Sequence, residues 1–432
     1  MPADVLARWV QAPGDLPGRL MIPFTDEQLV AIERRQGDLL LDASAGSGKT
    51  SVLVERFVRA VLDDEVEVSA ILTITFTDKA AAELRDRIRA RLRWCGADDA
   101  ARATEGAFIS TIHGFCARVL RAHALSGGLD PAFVVLDEAD AVRLADAAFE
   151  EALDDLAQNA PGGVELVAAY GFGALRGAIA GVYGELRSRG EIDPGLPPLP
   201  PPPDLDGARR ELARAAAAVA GELGTIADPS VRVVQALERL GRCTDAVGAK
   251  DPWPGELERL CLPRGNGVAL STPACVEYSE ALAGFRSACE HRRAEGTHRL
   301  LDRLLRFFGE RYTNGKRKRS ALDFADLELL ARELLSVAGE PRERYAERFT
   351  HVMVDELQDV NPVQMQLIES VARDNLFTVG DAQQSIYGFR HADVELFERR
   401  ALRLAALDAR PTLQTNFRSR PAILRELNSA FA

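Results

Sequence analysis

The stretch Asp38-Leu-Leu-Leu-Asp-Ala-Ser-Ala-Gly-Ser-Gly-Lys-Thr50 is an apolar run that breaks into small residues and closes on Gly48-Lys49-Thr50. Beyond it, Val54, Phe57, Val58 and Val61 recur at i, i+3, i+4 and i+7, which predicts a helix with one apolar face. Strand, glycine-rich turn and helix in that order form the context in which such a stretch cradles phosphate. Backbone N–H groups of Ala45 to Lys49 would converge on phosphate oxygens at the positive end of the helix dipole. Lys49 would reach the β- and γ-phosphates, and the Thr50 hydroxyl would sit on Mg²⁺. The expected nucleotide set is Ala43, Ser44, Ala45, Gly46, Ser47, Gly48, Lys49 and Thr50, with Ala43 standing where the pattern has its first glycine. An ordinary strand-to-helix turn would not require Lys-Thr after the last glycine.

At 432 residues the chain has room for two or three domains with proper cores. A composition 47% hydrophobic and 27% charged is that of a globular protein and excludes disordered and fibrous classes. No apolar run approaches the roughly 20 residues that span a bilayer. Met1 to Leu20 has neither a continuous apolar core nor a basic start, so it is not a secretory signal. A cytoplasmic protein is expected. No two of the six cysteines have C-x-x-C spacing and the six histidines do not cluster, so the thiols are expected to be free and buried rather than metal ligands. A formal net charge of −12 argues against a surface coated with nucleic acid but leaves room for a local basic groove. The densest basic run, Arg311 to Arg319, reads equally as a solvated loop or a phosphate contact.

Upstream of the loop, Thr25 and Gln28 have capping-box spacing; the Gln28 amide could alternatively meet an adenine edge. Downstream, Ala70–Thr75 predicts a second strand, followed by Phe76-Thr-Asp-Lys and a helix whose alternate arginines surround it rather than line one face. Ala107–Ser110 predicts a third strand, leading into Thr111-Ile-His-Gly-Phe-Cys116. From about Cys116 to Ser320 the pattern is helical, with Leu144, Ala148, Phe149, Ala152, Leu153 and Leu156 on one face. The proline-rich residues 193–204 interrupt it as an extended linker. Strands are expected again at Phe349–Val354, ending on Asp355-Glu-Leu-Gln-Asp359, and at Leu376–Val379, running into Gly380-Asp-Ala-Gln-Gln-Ser-Ile-Tyr-Gly-Phe-Arg-His391. Repeated strand–loop–helix units predict a parallel α/β sheet with its functional loops at the strands' carboxyl ends.

An apolar strand ending in Asp-Glu complements a phosphate loop. Asp355 would share Mg²⁺ with Thr50, and Glu356 would orient and deprotonate an attacking water, which favours hydrolysis over binding alone.

Gln28, Ala43–Thr50, Thr75-Phe-Thr-Asp-Lys-Ala-Ala81, Asp355–Asp359, Gly380–Arg390 and Asn416-Phe-Arg-Ser419 together resemble superfamily 1 DNA helicases of the UvrD/Rep type. The AddA/RecB branch is the nearer likeness, because Phe389, His391-Ala-Asp393 and Asn416–Pro421 fit it better. The resemblance implies a RecA-like P-loop NTPase sheet in residues 22–115 and 321–410, a helical insertion in 116–320, an N-terminal extension in 1–21 and the start of a second RecA-like domain in 411–432. It also implies an ATP- and Mg²⁺-dependent 3′ to 5′ motor on single-stranded DNA and single/double-strand junctions, acting in repair or recombination. No membrane is implied, and the partner would be an AddB-like subunit. Gln384 would sense the γ-phosphate and Arg418 would act as an arginine finger from the second domain. Phe417 would stack on adenine, and Gln28 would join the nucleotide set. On the DNA side, Phe76, Tyr387 and Phe389 would stack on bases, Arg390 would contact DNA or brace the loop, and Thr77 and His113 are further candidates.

Asp78 departs from the family's usual asparagine and puts a negative charge beside the expected DNA track. The family's later motifs, most of the second RecA-like domain and a nuclease domain have no counterpart after Asn428. The expectation is therefore a chain that binds Mg·ATP with little coupled hydrolysis and no unwinding by itself. The alternative is an ATP-switched DNA-binding regulatory protein. A clamp-type ATPase would have no need of Gln384-Ser-Ile-Tyr or Asn416-Phe-Arg.

Overall fold

The computed structural model describes residues 24–249, 252–263, 268–336, 339–388 and 391–431. The expected extension 1–21, and Phe389 and Arg390 among the expected DNA contacts, lie outside them. The chain divides into two compact units. One runs to Phe133, includes Ser188–Gly190 and resumes at Phe324; the other comprises Val134–Arg187 and Glu191–Asp323.

The first unit is built on a six-stranded sheet of β1 (Leu39–Ala43), β2 (Ile71–Thr75), β3 (Phe108–Thr111), β6 (His351–Val354), β7 (Leu376–Gly380) and β8 (Thr412–Leu413). The order is β3-β2-β6-β7-β1-β8 and every pairing is parallel. Leu39, Leu40 and Leu41 of β1, Val352 to Val354 of β6 and Leu376, Phe377 and Val379 of β7 are all buried, as helices on both faces of a parallel sheet require. The expected strands are present, with ends displaced by one or two residues where helical turns or caps take over.

Three arginines tie these helices to the sheet and to one another. Buried Arg56 donates to the carbonyls of Ala31 (2.6 Å) and Arg34 (2.5 Å) and lies over the Phe377 ring. It thereby anchors the end of helix Asp26–Glu33, which carries Gln28. Burial, and then the Arg35 charge, push its pKa down to about 9. Arg91 pairs with buried Glu55 at 2.9 Å, joining helix Asp78–Trp94 to helix Lys49–Leu62. Arg400 reaches Asp38, Thr378 and the Leu376 carbonyl, holding helix Val394–Ala405 on β1 and β7.

Two limits differ from expectation. Helix Ile112–Ala122 belongs with the sheet, since Phe115 packs edge-on against Phe108 and Phe349, so the first unit extends to Phe133 and not to residue 115. Helical periodicity reveals an apolar face but not which body that face meets. Thr412–Leu413, expected to open a separate domain, instead pairs with Asp42 and Ala43 as the edge strand of the same sheet.

The second unit is helical apart from the short parallel pair β4 (Val134–Val135) and β5 (Ala321–Leu322). Leu144, Ala148, Phe149, Ala152 and Leu156 of helix Glu138–Asn159 are buried together with Tyr183, Phe308 and Tyr312. Another core gathers Leu212, Val219, Leu240, Tyr278 and Phe285. Residues 194–204 form no helix or strand. The basic run from Arg311 lies mostly in the last turns of the 45-residue helix Pro273–Arg317 and is no loop: Arg311 pairs with Asp155, and buried Lys316 with Asp323 at 2.7 Å. Among the described residues no single helix is long and apolar enough to cross a membrane.

Candidate active site

All the loops expected to carry chemistry leave the carboxyl edge of the one sheet. The strand order sets their sequence across it: His113 beyond β3, Phe76 and Thr77 beyond β2, Asp355 and Glu356 beyond β6, Gln384 and Tyr387 beyond β7, the phosphate loop beyond β1, and Asn416–Arg418 beyond β8.

The phosphate loop turns through Gly46 (φ 75°) and Gly48 (φ 89°), and the following helix starts at Lys49 with no side-chain cap. Its first N–H groups are thus left for an anion. The Ser47 hydroxyl closes the loop on the Ser44 carbonyl at 2.7 Å. Gln28 serves two purposes. Its Oε1 accepts from the Thr25 N–H in a complete capping box, while its Nε2 donates to the Ser47 carbonyl at 2.9 Å. Both ends of the amide are on protein partners, so an adenine edge would have to exchange with one of them.

Lys49 and Thr50 occupy the first turn of that helix. Lys49 Nζ lies 3.1 Å from Glu356 Oε2 and 3.4 Å from Gln384 Oε1, so the loops of β1, β6 and β7 meet at a single ammonium. Glu356 sits at φ 53°, in the left-handed region, where the chain turns sharply from β6 into the short turn Leu357–Asp359. Burial, and then the neighbouring Glu356 charge, raise the Asp355 pKa to about 6, and the same two causes raise Asp359 to about 6. Among the described residues the carboxylates of Asp355, Glu356 and Asp359 gather within the electrostatic reach of Lys49, and the oxygens of Asp355 and Thr50 are the hard donors a divalent cation such as Mg²⁺ takes. The residues fit that ion.

The β8 loop is stapled to the phosphate loop. Asn416 Nδ2 donates to the Ala45 carbonyl at 2.9 Å and the Phe417 N–H to the Gly46 carbonyl at 2.8 Å. Asn416 Oδ1 accepts from the N–H groups of Arg418 and Ser419. A Cβ on Gly46 would lie 2.7 Å from Arg418 Cβ, so glycine is what admits this approach. Arg418, expected to reach in from a second domain, sits with its Cβ directly against Gly46 of the phosphate loop of the first sheet. The Phe417 ring remains 40% exposed and the Arg418 side chain is exposed.

On the other side, the Phe76 and Tyr387 rings lie against each other, tilted, with centroids 4.5 Å apart at 33°. Thr77 is exposed and its hydroxyl caps helix Asp78–Trp94 by accepting from the Ala80 N–H. Asp78 accepts from the Thr111 hydroxyl at 3.2 Å, so it joins the β2 and β3 loops. His113 lies tilted against the Phe324 ring, and its Nε2 is 2.8 Å from Glu328 Oε1.

Glu328 carries no signal in the sequence. It is buried and also accepts from Gln364 Nε2 (2.6 Å) and Asn361 Nδ2 (3.1 Å), so it connects His113 to the helix that follows Asp355–Asp359. Gln358 falls within the Asp355–Asp359 motif, but the pattern alone gives it no role.

Comparison with known proteins supplies a family pattern. The family model described as UvrD/REP helicase N-terminal domain matches residues 24–402. The chain is also similar to proteins named as subunits of an ATP-dependent helicase/nuclease, of the AddA type. That of Exiguobacterium sibiricum is 31% identical over 95% of this chain and 40% of its own length. Those of Pelotomaculum thermopropionicum and Syntrophomonas wolfei are 31% and 30% identical over 94% and 95% of this chain, and 38% of their own length in both cases. The chain thus spans about 40% of the length of the curated relatives it matches.

Proposed function

The chain belongs to the UvrD/REP helicase N-terminal domain family, and from that premise we propose that it is the ATP-hydrolysing part of a DNA-translocating motor. One observation carries the proposal. Gln384 lies beside Lys49, and Tyr387, three residues on, lies against Phe76. A shift of the β7 loop on nucleotide binding would therefore move the aromatic pair directly.

In this reading the N–H groups of Ala45 to Lys49 and the Lys49 ammonium hold the phosphates. Thr50 and Asp355 would hold Mg²⁺, which would supply positive charge to offset that of the phosphates. Glu356 takes a proton from water as its oxygen bonds to the γ-phosphorus; the bond to the β-bridging oxygen breaks and ADP leaves with that electron pair. Arg418 stabilises the charge on the transferring group, and Phe417 offers its ring to adenine. Phe76 and Tyr387, with Thr77 and His113, form the described part of the track for single-stranded DNA. Stacking suits such a track because every base has a π-face. The family likeness supports 3′ to 5′ movement, junction substrates and a role in repair. The relatives are named as subunits, which supports a partner of AddB type.

The test is DNA-stimulated ATP hydrolysis and strand displacement by the longest natural protein that contains these residues, with and without Glu356→Gln. The expected result is loss of both activities with ATP binding retained. Displacement that survives blocked hydrolysis would favour an ATP-switched DNA-binding protein instead.

A further inference from the structure

We propose that Gln358 is a positioning residue for hydrolysis: it holds the Glu356 carboxylate in place and ties it to the loop that presents Gln384. The proposal rests on the reading of Glu356 as the base.

Gln358 is 1% exposed. A buried amide is costly unless its hydrogen bonds are satisfied, and every partner of this one belongs to the same machinery. Nε2 donates to Glu356 Oε2 at 2.9 Å and, more weakly, to Asp359 Oδ2 at 3.4 Å. Oε1 accepts from the Asp381 N–H at 3.0 Å, and the Gln358 carbonyl accepts from the Ser385 hydroxyl at 3.2 Å. One residue thus clamps both ends of segment 381–385, with Gln384 between them. Gly380 makes the clamp possible, since a Cβ there would stand 2.5 Å from Gln358 Oε1.

Glu356 Oε2 accepts from both Lys49 and Gln358, and among the described residues Oε1 accepts from none. An incoming γ-phosphate competes for Lys49 because the ammonium is charged. It does not compete for a neutral amide buried behind the carboxylate. Gln358 is therefore the donor that remains on Oε2 when nucleotide takes the lysine, keeping Oε1 turned toward the water.

The experiment compares single-turnover ATP hydrolysis and ATP affinity, with DNA present, for Gln358→Met, Gly380→Ala, Glu356→Gln and the double variant Glu356→Gln/Gln358→Met. Thermal melts check that each folds. Gln358→Met should slow hydrolysis about 10–100-fold while leaving ATP affinity within about twofold. Gly380→Ala, which pushes on the same amide from β7, should act in the same direction. In the Glu356→Gln background Gln358→Met should add no more than about twofold, because a residue acting through the base has nothing left to position. Full additivity, or lost affinity at unchanged rate, would overturn the proposal. If Glu356→Gln slows hydrolysis and Gln358→Met does not, this inference alone fails. If Glu356→Gln has no effect, the assignment of the base fails and takes this inference with it.

Discussion

Lys49 Nζ rests 3.1 Å from Glu356 Oε2, so the cation expected to meet the γ-phosphate also neutralises the expected base. The Lys49 side chain is largely shielded from water and that of Glu356 half-buried, which strengthens the pair somewhat relative to a surface contact. Binding ATP then exchanges one anion for another at the same ammonium, and the carboxylate is released as the substrate arrives.

Lys49→Met should weaken ATP binding by about 1.5–3 kcal/mol, roughly 10–150-fold, the range for hydrogen bonds to charged groups. Titration with a fluorescent ATP analogue measures this. An unchanged affinity would remove Lys49 from the phosphate site.

The raised carboxyls predict a pH signature. The Asp355 pKa is about 6 in the folded protein, against about 3.9 when unfolded. Between those values the native state binds more protons, so stability from this group falls as pH rises and the penalty is full above pH 6. Asp355→Asn should raise the melting temperature at pH 7, and the gain should vanish toward pH 4. Wild-type affinity for Mg·ATP should decline as pH falls through 6. His351 has the opposite sign, since burial and then Arg56 hold it down to about 4, so the informative quantity is mutant minus wild type at each pH.

Gly46→Ala places a Cβ against Arg418 and Asn416 at a positive φ. The strain of a left-handed non-glycine residue is about 1–2 kcal/mol, and the β8 loop must lift away to relieve it. Amide hydrogen exchange at Phe417 and Arg418 should accelerate, with weaker ATP binding. Unchanged protection at those amides would mean that the staple does not depend on Gly46.

Because the Phe76 and Tyr387 rings are in contact, their roles in DNA binding should not be independent. Each alanine variant should cost about 1–3 kcal/mol of affinity for single-stranded DNA. The double variant should depart from additivity by about 0.5 kcal/mol or more. Strict additivity in a fluorescence-anisotropy cycle would argue that the rings contact DNA separately.

Glu328→Ala leaves the buried amides of Asn361 and Gln364 without their acceptor. The expected cost is about 2–6 kcal/mol from two unsatisfied donors, read as a lower urea midpoint at unchanged slope. Glu328→Gln, which keeps an acceptor oxygen, should cost less.

Local chemistry is legible in the sequence because it depends on neighbours in the chain. The three-leucine run of β1, Gly46 and Gly48 at the turn, the Thr25–Gln28 capping box and the acidic end of β6 each state their conformation within a few residues. The turn of the phosphate loop and the parallel strands follow from that. What only the tertiary structure decided is order across the sheet. β7 lies between β1 and β6, so Gln384 meets Lys49 and Gln358 bridges to Asp381. β8 pairs with β1, so Asn416 and Arg418 pack on the phosphate loop of this sheet rather than opening another. Glu328 meets His113 across more than 200 residues, on a helix whose periodicity only announces a buried face. Periodicity tells which side of an element is buried. Which side chains meet there depends on strand order and helix packing, set by the burial of all the faces at once.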